Sequence, residues 1–272
     1  MASRLLGKVA IVTGAGSQGP GIGNGKATAV LFAREGAKVL CVDQDLGRAD
    51  ETCGMIASDG GEASAFAADV SRSADCAAIV GAALARYGRL DVLHNNVGIG
   101  GVGTIQQVTE ADWDHTLTIN LKSMLLTIQA ALPALEAAGG GSIINVSSIA
   151  GLRYGGAALT AYSASKAGII GLTLSAAGQL GGLRIRVNCI APGLVYTPMA
   201  AAMFNPPAHE ATREKRRLSG LIQDEGTAWD VGWAAVYLAS DESRWITGQV
   251  LVVDAGLTLT TRADQALTAP PQ

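Results

Sequence analysis

Seven short apolar runs, each followed by an alanine-rich stretch with helical spacing, constrain this chain more than any other feature. They are VAIVTG (9–14), AKVLCVD (37–43), ASAFAADV (63–70), LDVLHNN (90–96), SIINVSS (142–148), RIRVNCIAPG (184–193) and QVLVVDAG (249–256). Strand and helix in alternation imply βαβ units and a parallel sheet. The near-continuous hydrophobicity of the runs means that both sheet faces are covered. Between them, segments such as GKATAVLFAREG, SADCAAIVGAALARYG and YSASKAGIIGLTLSAAGQLG carry apolar residues at helical period and stop at glycine. The predicted fold is α/β, an open, doubly wound parallel sheet of about seven strands with helices on both faces. At 272 residues, 49% of them hydrophobic, the chain can bury one substantial core. It reads as a single domain over 1–257 with a polar tail at 258–272, and shows no internal repeat and no interdomain linker. Residues 197–226 break the rhythm after the sixth strand, as a lid over a binding site would.

Charge and cysteine usage exclude several classes of function. The net charge is −3, and no basic block exceeds the short EKRR at 214–217. Neither nucleic acid nor a membrane surface is an expected partner. Cys41, Cys53, Cys76 and Cys189 are scattered, without a C-x-x-C pair or a histidine at ligand spacing. Buried thiols in a reducing compartment are expected, rather than a metal site or a disulfide framework. No basic-then-apolar leader precedes the first strand and no apolar run is long enough to span a bilayer, so the expected location is the cytoplasm.

Residues 13–25, TGAGSQGPGIGNG, hold six glycines between the first strand and the first helix. Glycine costs ordering entropy, so such a cluster marks sharp bending or close approach of something to the backbone. At the N-terminus of a helix that something is a phosphate, and a Rossmann-type dinucleotide site is implied. Asp43 closes the second strand about 30 residues on, where a carboxylate hydrogen-bonds the adenosine ribose and repels a 2′-phosphate. The alternative for Asp43 is a helix N-cap. No arginine or lysine adjoins it in sequence, since Gln44 and Asp45 follow, and NAD is the expected cofactor.

YSASK places Tyr162 and Lys166 four apart, on one face of a helix. A phenol needs help to accept a proton at neutral pH, and a nearby ammonium stabilises its anion, so Tyr162 is a candidate general acid and base. One βα unit earlier, Ser148 ends the strand of INVSSIAG at the edge where a switch-point crevice opens. Taken singly, each of these residues also has an ordinary structural explanation as a turn, a cap or a surface pair.

Together with NNVG (95–98), NLKS (120–123) and NCIAPGLVYTPM (188–199), these motifs stand in the order of a known family. Over residues 7–257 the chain resembles the short-chain dehydrogenases/reductases. The resemblance implies that Ser148 polarises the substrate oxygen, that Tyr162 exchanges its proton, and that Lys166 lowers the tyrosine pKa and holds the nicotinamide ribose. It further implies that Asn120 keeps a water in the proton relay. Cofactor contacts fall to Gly14, Ser17, Gln18, Gly21, Ile22 and Gly23 in the glycine loop, and to Asp69 and Val70 beside the adenine. Asn96 would line the channel, with Val195 and Thr197 at the carboxamide end. The sequence departs from the family pattern in a longer glycine loop, with additional residues within SQGP and at NG, and in the fourteen positions from Ser148 to Tyr162. At His94 the family usually carries an aliphatic residue, and a packed, hydrogen-bonded histidine is expected. Arg153 and Tyr154 are placed either to meet substrate or to form a solvated loop. The implied activity interconverts a secondary alcohol and a ketone with NAD, the apolar lid residues Met199, Met203, Phe204, Pro206 and Pro207 suiting an apolar or cyclic substrate. A non-catalytic dinucleotide sensor or scaffold is the competing expectation; the resemblance also implies a homotetramer, for which the small and apolar residues of the helices at 110–137 and 160–180 permit close packing.

Overall fold

The computed structural model describes residues 3–155, 157–202 and 209–260. Seven strands form one parallel sheet in the order β3-β2-β1-β4-β5-β6-β7. They are β1 Val9–Thr13, β2 Lys38–Asp43, β3 Glu62–Ala67, β4 Val92–Asn95, β5 Gly141–Val146, β6 Ile185–Pro192 and β7 Val250–Val253. Every run expected to form a strand does so. The order reverses between β1 and β4, which opens a crevice beyond their carboxyl ends.

Helices α1 (Asn24–Arg34), α2 (Leu46–Ser58) and α9 (Ala228–Ala239) cover one face, and α3 (Ser73–Tyr87), α5 (Ser123–Ala137) and α6 (Thr160–Leu180) cover the other. Alternation along each strand divides the core between them: in β1, Ala10 and Val12 pack towards α1 and α9, while Ile11 packs towards the second layer. Helix ends follow local chemistry. The Asp45 carboxylate caps α2 by accepting from the Arg48 N–H, α3 stops at the left-handed Gly88, and Thr227 with Asp230 forms a capping box on α9.

Two features position the site. Helix α4 (Glu110–Leu117) runs into α5 through a π-helical turn, Thr118–Lys122, which carries Asn120. The tips of β4 and β5 are tied to the helices behind them by a buried network. Asn95 donates to Asn145 at 3.0 Å and accepts from Thr127 at 2.8 Å, and Asn145 donates to Thr173 at 3.0 Å. After β6 come α7 (Pro198–Ala202) and α8 (His209–Arg217). Met203, Phe204, Pro206 and Pro207 of the expected lid, and the tail from residue 261, lie outside the described residues. Among the described residues no helix is long and apolar enough to cross a membrane, and no cluster of histidine, cysteine and acidic side chains could hold a metal ion. Cys41, Cys76 and Cys189 are buried and Cys53 is half-buried, all as free thiols.

Candidate active site

A crevice of about 1290 Å³ lies over the carboxyl ends of the strands. Its floor at the β1 end is the glycine loop. Gly14 adopts φ +64°, open to glycine alone at low cost, and its carbonyl accepts from Asn96 Nδ2 at 3.1 Å. A Cβ at Gly25 would run into the Gly14 carbonyl oxygen, and one at Gly16 into the Cβ of Arg48. The backbone of this loop therefore packs against itself without room for side chains. Ser17 Oγ closes the loop by accepting from the Gly23 N–H at 3.0 Å.

Of the residues expected to hold cofactor, Gly14, Ser17, Gln18, Gly23, Asp43, Asp69, Val70, Asn96, Val195 and Thr197 line the crevice. Gly21 and Ile22 stand off its wall; Gly21 faces the Pro198 ring instead. Asn24 and Gly25, which looked like surplus loop in the sequence, form the first turn of α1 and do line the wall. The close-approach glycines Gly16 and Gly25 were missed because contacts across a loop are not written in its spacing. Asp43 is fixed by two backbone donors, the Gly16 N–H on one oxygen and the Asp45 N–H on the other, each at 3.1 Å. Asp45, not Asp43, caps α2. Arg48 also reaches this end of the crevice, one turn into α2, with its Nε 3.5 Å from the Asp45 carboxylate. Inspection of adjacent sequence positions alone could not find it. The Asp69 carboxylate accepts from the Ser71 N–H and hydroxyl, which hold its pKa below the ordinary value.

Beyond the β5 tip, Ser148, Tyr162 and Lys166 meet on the crevice wall. Ser148 sits at the N-cap of a short turn, accepting from the Ala150 N–H at 3.2 Å, with the Tyr162 phenol as its neighbour on the wall. Lys166 Nζ is buried, donates to the Val146 carbonyl at 2.9 Å and lies 5.5 Å from the Tyr162 ring centre. Burial pushes this ammonium down to about 8. Burial also raises the Tyr162 phenol, with the neighbouring Ser148 hydroxyl drawing it partly back.

Asn120 lies behind the wall rather than on it. Its amide donates to the Ile99 carbonyl and to Ser165 Oγ, both at 3.0 Å, and its oxygen accepts from the Ile99 N–H at 2.8 Å. It clips the loop after β4 to α6 with a side chain already engaged on three sides. Arg153 stands on an exposed segment, and its Nη1 donates to the carbonyls of Leu257, Thr258 and Thr260 while the residue also lines the crevice. His94 is packed edge-on to Phe32 at 6.0 Å, but neither ring nitrogen has a hydrogen-bond partner, contrary to expectation.

The residues present fit a dinucleotide. Gly14, Gly16, Gly23 and Gly25 line the wall with bare backbone, α1 opens without a capping side chain or an acidic first turn, and the buried Asn24 Oδ1 on the wall has no partner within the chain. Fold and site together define a nicotinamide-dinucleotide-dependent type of oxidoreductase, with a Ser–Tyr–Lys constellation beside the cofactor crevice. Comparison with known proteins agrees: residues 19–258 match the family model described as enoyl-(acyl carrier protein) reductase. The chain is 38% identical to the 3-oxoacyl-[acyl-carrier-protein] reductase of Thermotoga maritima, over 94% of this chain and all of the relative. A solved Burkholderia xenovorans protein classed with the short-chain dehydrogenases/reductases superposes with a TM-score of 0.90 at 41% identity, covering 95% of this chain and 99% of that one. A 7α-hydroxysteroid dehydrogenase complexed with NADH and 7-oxoglycochenodeoxycholic acid gives 0.86 at 32% identity, covering 94% and 96%. The chain belongs to the short-chain dehydrogenase/reductase family.

Proposed function

We propose that this protein interconverts a secondary alcohol and a ketone with NAD, using Tyr162 as the group that exchanges a proton with the substrate oxygen. The observation that carries this reading is the meeting of Ser148, Tyr162 and Lys166 on one crevice wall, with the buried Lys166 ammonium 5.5 Å from the Tyr162 ring centre. Ser148 orients the substrate oxygen against the Tyr162 hydroxyl. With its pKa raised by burial, Tyr162 is protonated at neutral pH, the form that gives a proton to a carbonyl oxygen as the ketone is reduced. In the reverse direction its anion takes the alcohol proton, and Lys166, anchored on the Val146 carbonyl, supplies the compensating charge. The nicotinamide, when bound, supplies hydride donor and acceptor chemistry. Asn120 is a positioning residue for this wall, its side chain holding the loop after β4 to α6.

Asp43 supports NAD over NADP. Its carboxylate is pinned at the end of β2, where it would accept ribose hydroxyls and repel a 2′-phosphate, and the one nearby cation on the described wall, Arg48, is engaged with Asp45. A family neighbour that holds NADH is consistent with this. The far end of the crevice is walled by Val102, Leu159, Met199, Leu218, Leu221 and Leu257, which suits an apolar or cyclic substrate body. We further propose a cytoplasmic homotetramer.

The test is reduction of NAD against NADP with a panel of cyclic and aliphatic secondary alcohols, with Tyr162→Phe as the control. Turnover with NAD is expected, falling roughly a hundredfold or more in the variant, while calorimetry shows that the variant still binds NAD. Equal turnover by the variant, or a preference for NADP, would overturn the assignment.

A further inference from the structure

Lys166 is gripped at both ends by consecutive residues at the tip of β5. The Val146 carbonyl accepts from Nζ at 2.9 Å, and the hydroxyl of Ser147 donates to the Lys166 backbone carbonyl at 2.7 Å. One contact holds the charge and the other holds the main chain from which it hangs. Ser147 is itself fixed. Its side chain is buried, and its N–H donates to the Ile190 carbonyl of β6 at 2.8 Å, which continues the sheet one residue past β5.

The Lys166 carbonyl lies inside α6, where the helix already supplies an N–H donor four residues on. The added bond satisfies the buried Ser147 hydroxyl and, in doing so, ties this turn of the helix to the sheet. Two glycines bring further backbone up to the same lysine. A Cβ at Gly151, in the short turn after Ser148, would stand 2.6 Å from the Lys166 carbonyl carbon, so that turn rests directly on the lysine main chain. A Cβ at Gly98, in the loop after β4, would stand 3.3 Å from Nζ and 3.5 Å from Asn120 Oδ1. Lysine carries its charge on a flexible four-carbon stem. The ammonium therefore keeps one place only where root and tip are both held.

We infer that Ser147 is a positioning residue for the reaction, its hydroxyl fixing the root of Lys166 so that the ammonium stands beside Tyr162 while the Val146 carbonyl holds the tip. This rests on the hydride-transfer reading above and adds a residue to it.

The titratable groups facing the ammonium are Tyr162 on its own helix and Cys189 on β6; Val146 of β5, Gly98 and Asn120 face it as neutral groups. Burial raises both Tyr162 and Cys189, the thiol to about 11, so neither ionises where Lys166 does, at about 8.

The first readout needs no turnover. Acetic anhydride labels neutral amines, so labelling of the Lys166 peptide against pH, followed by mass spectrometry on the full chain, titrates this one lysine. The wild-type midpoint is expected at about 8. In Ser147→Ala it should rise by about half a unit or more, as the freed stem lets the ammonium reach water. Ser147→Thr keeps the hydroxyl and should restore the wild-type midpoint. Ser142→Ala is the control: it removes a buried hydroxyl from the other end of β5, where it donates to the Leu238 carbonyl at 2.8 Å. That variant should lower the melting temperature without moving the midpoint. Should the alanine variant at 147 fail to fold, Ser147→Cys, close in size and a weak donor, carries the same expectation. The second readout is NAD reduction with the secondary-alcohol panel, in which Ser147→Ala should lose roughly tenfold in kcat with KM little changed, and Ser147→Thr should recover it. A midpoint that stays put in Ser147→Ala, or moves as far in Ser142→Ala, would refute the inference even where kcat falls. A shifted midpoint in a protein that turns over no alcohol keeps the clamp and overturns hydride transfer; turnover with an unmoved midpoint does the reverse.

Discussion

His94 shows how much a single residue can depart from its neighbourhood's pattern. It follows the core residues Val92 and Leu93 on β4, fully buried, with both nitrogens unpartnered, and burial lowers its pKa from 6.5 to about 3. The unfolded chain therefore binds a proton between about pH 6.5 and 3 that the folded chain refuses. Stability from this residue is complete above pH 6.5 and is lost progressively as pH falls to about 3. At pH 5 the loss is about 2 kcal/mol. His94→Leu should lose correspondingly less stability between pH 7 and pH 5, read from urea midpoints at the two pH values. An equal loss in both proteins would show that His94 is not the acid-sensitive group. The sequence marked His94 as unusual but assigned it hydrogen bonds, because partners on α1 and β5 are set by packing. The same limit explains the Tyr162 phenol: its spacing from Lys166 is local helical geometry and was legible, whereas its desolvation depends on the whole crevice.

At the scale of elements, strands and long helices were legible because apolar periodicity reports burial directly, and joints between them were not. The π-helical turn at Thr118–Lys122 interrupts what reads as one helix over 110–137, and nothing in TINLK announces it. Asn24 and Gly25 read as loop but belong to α1. Arg153 is the clearest case, since a side chain on the segment after β5 secures carbonyls more than a hundred residues later in the chain. The short turn Leu257–Leu259 is thereby tied to the crevice rim. Arg153→Ala should release that turn, raising amide exchange at residues 257–260 by an opening energy of about 1 kcal/mol for this exposed clamp. It should also raise KM for the ketone more than it changes kcat. Unchanged exchange at those amides would show that the clamp does not hold the rim.

For the whole molecule, what remains exposed says as much as what is buried. Among the described residues strand β7 is an edge of the sheet, paired with β6 alone, and Val252 on it is open to solvent. Trp233 on the neighbouring α9 is also exposed, as are Leu125 of α5 and Leu174 of α6 on the opposite layer. An uncovered edge strand and large apolar side chains on two layers are liabilities in a monomer and assets in a symmetric assembly, where isologous contacts cover them in pairs. Two distinct faces generate a closed tetramer with two-fold symmetry, whereas one would stop at a dimer. Light scattering of the wild-type protein should give the mass of four chains. Leu174→Glu, placing a charge on one face, should shift the mass to two chains while circular dichroism keeps the helical signal. A wild-type mass of one chain would remove the assembly and leave these side chains to face solvent.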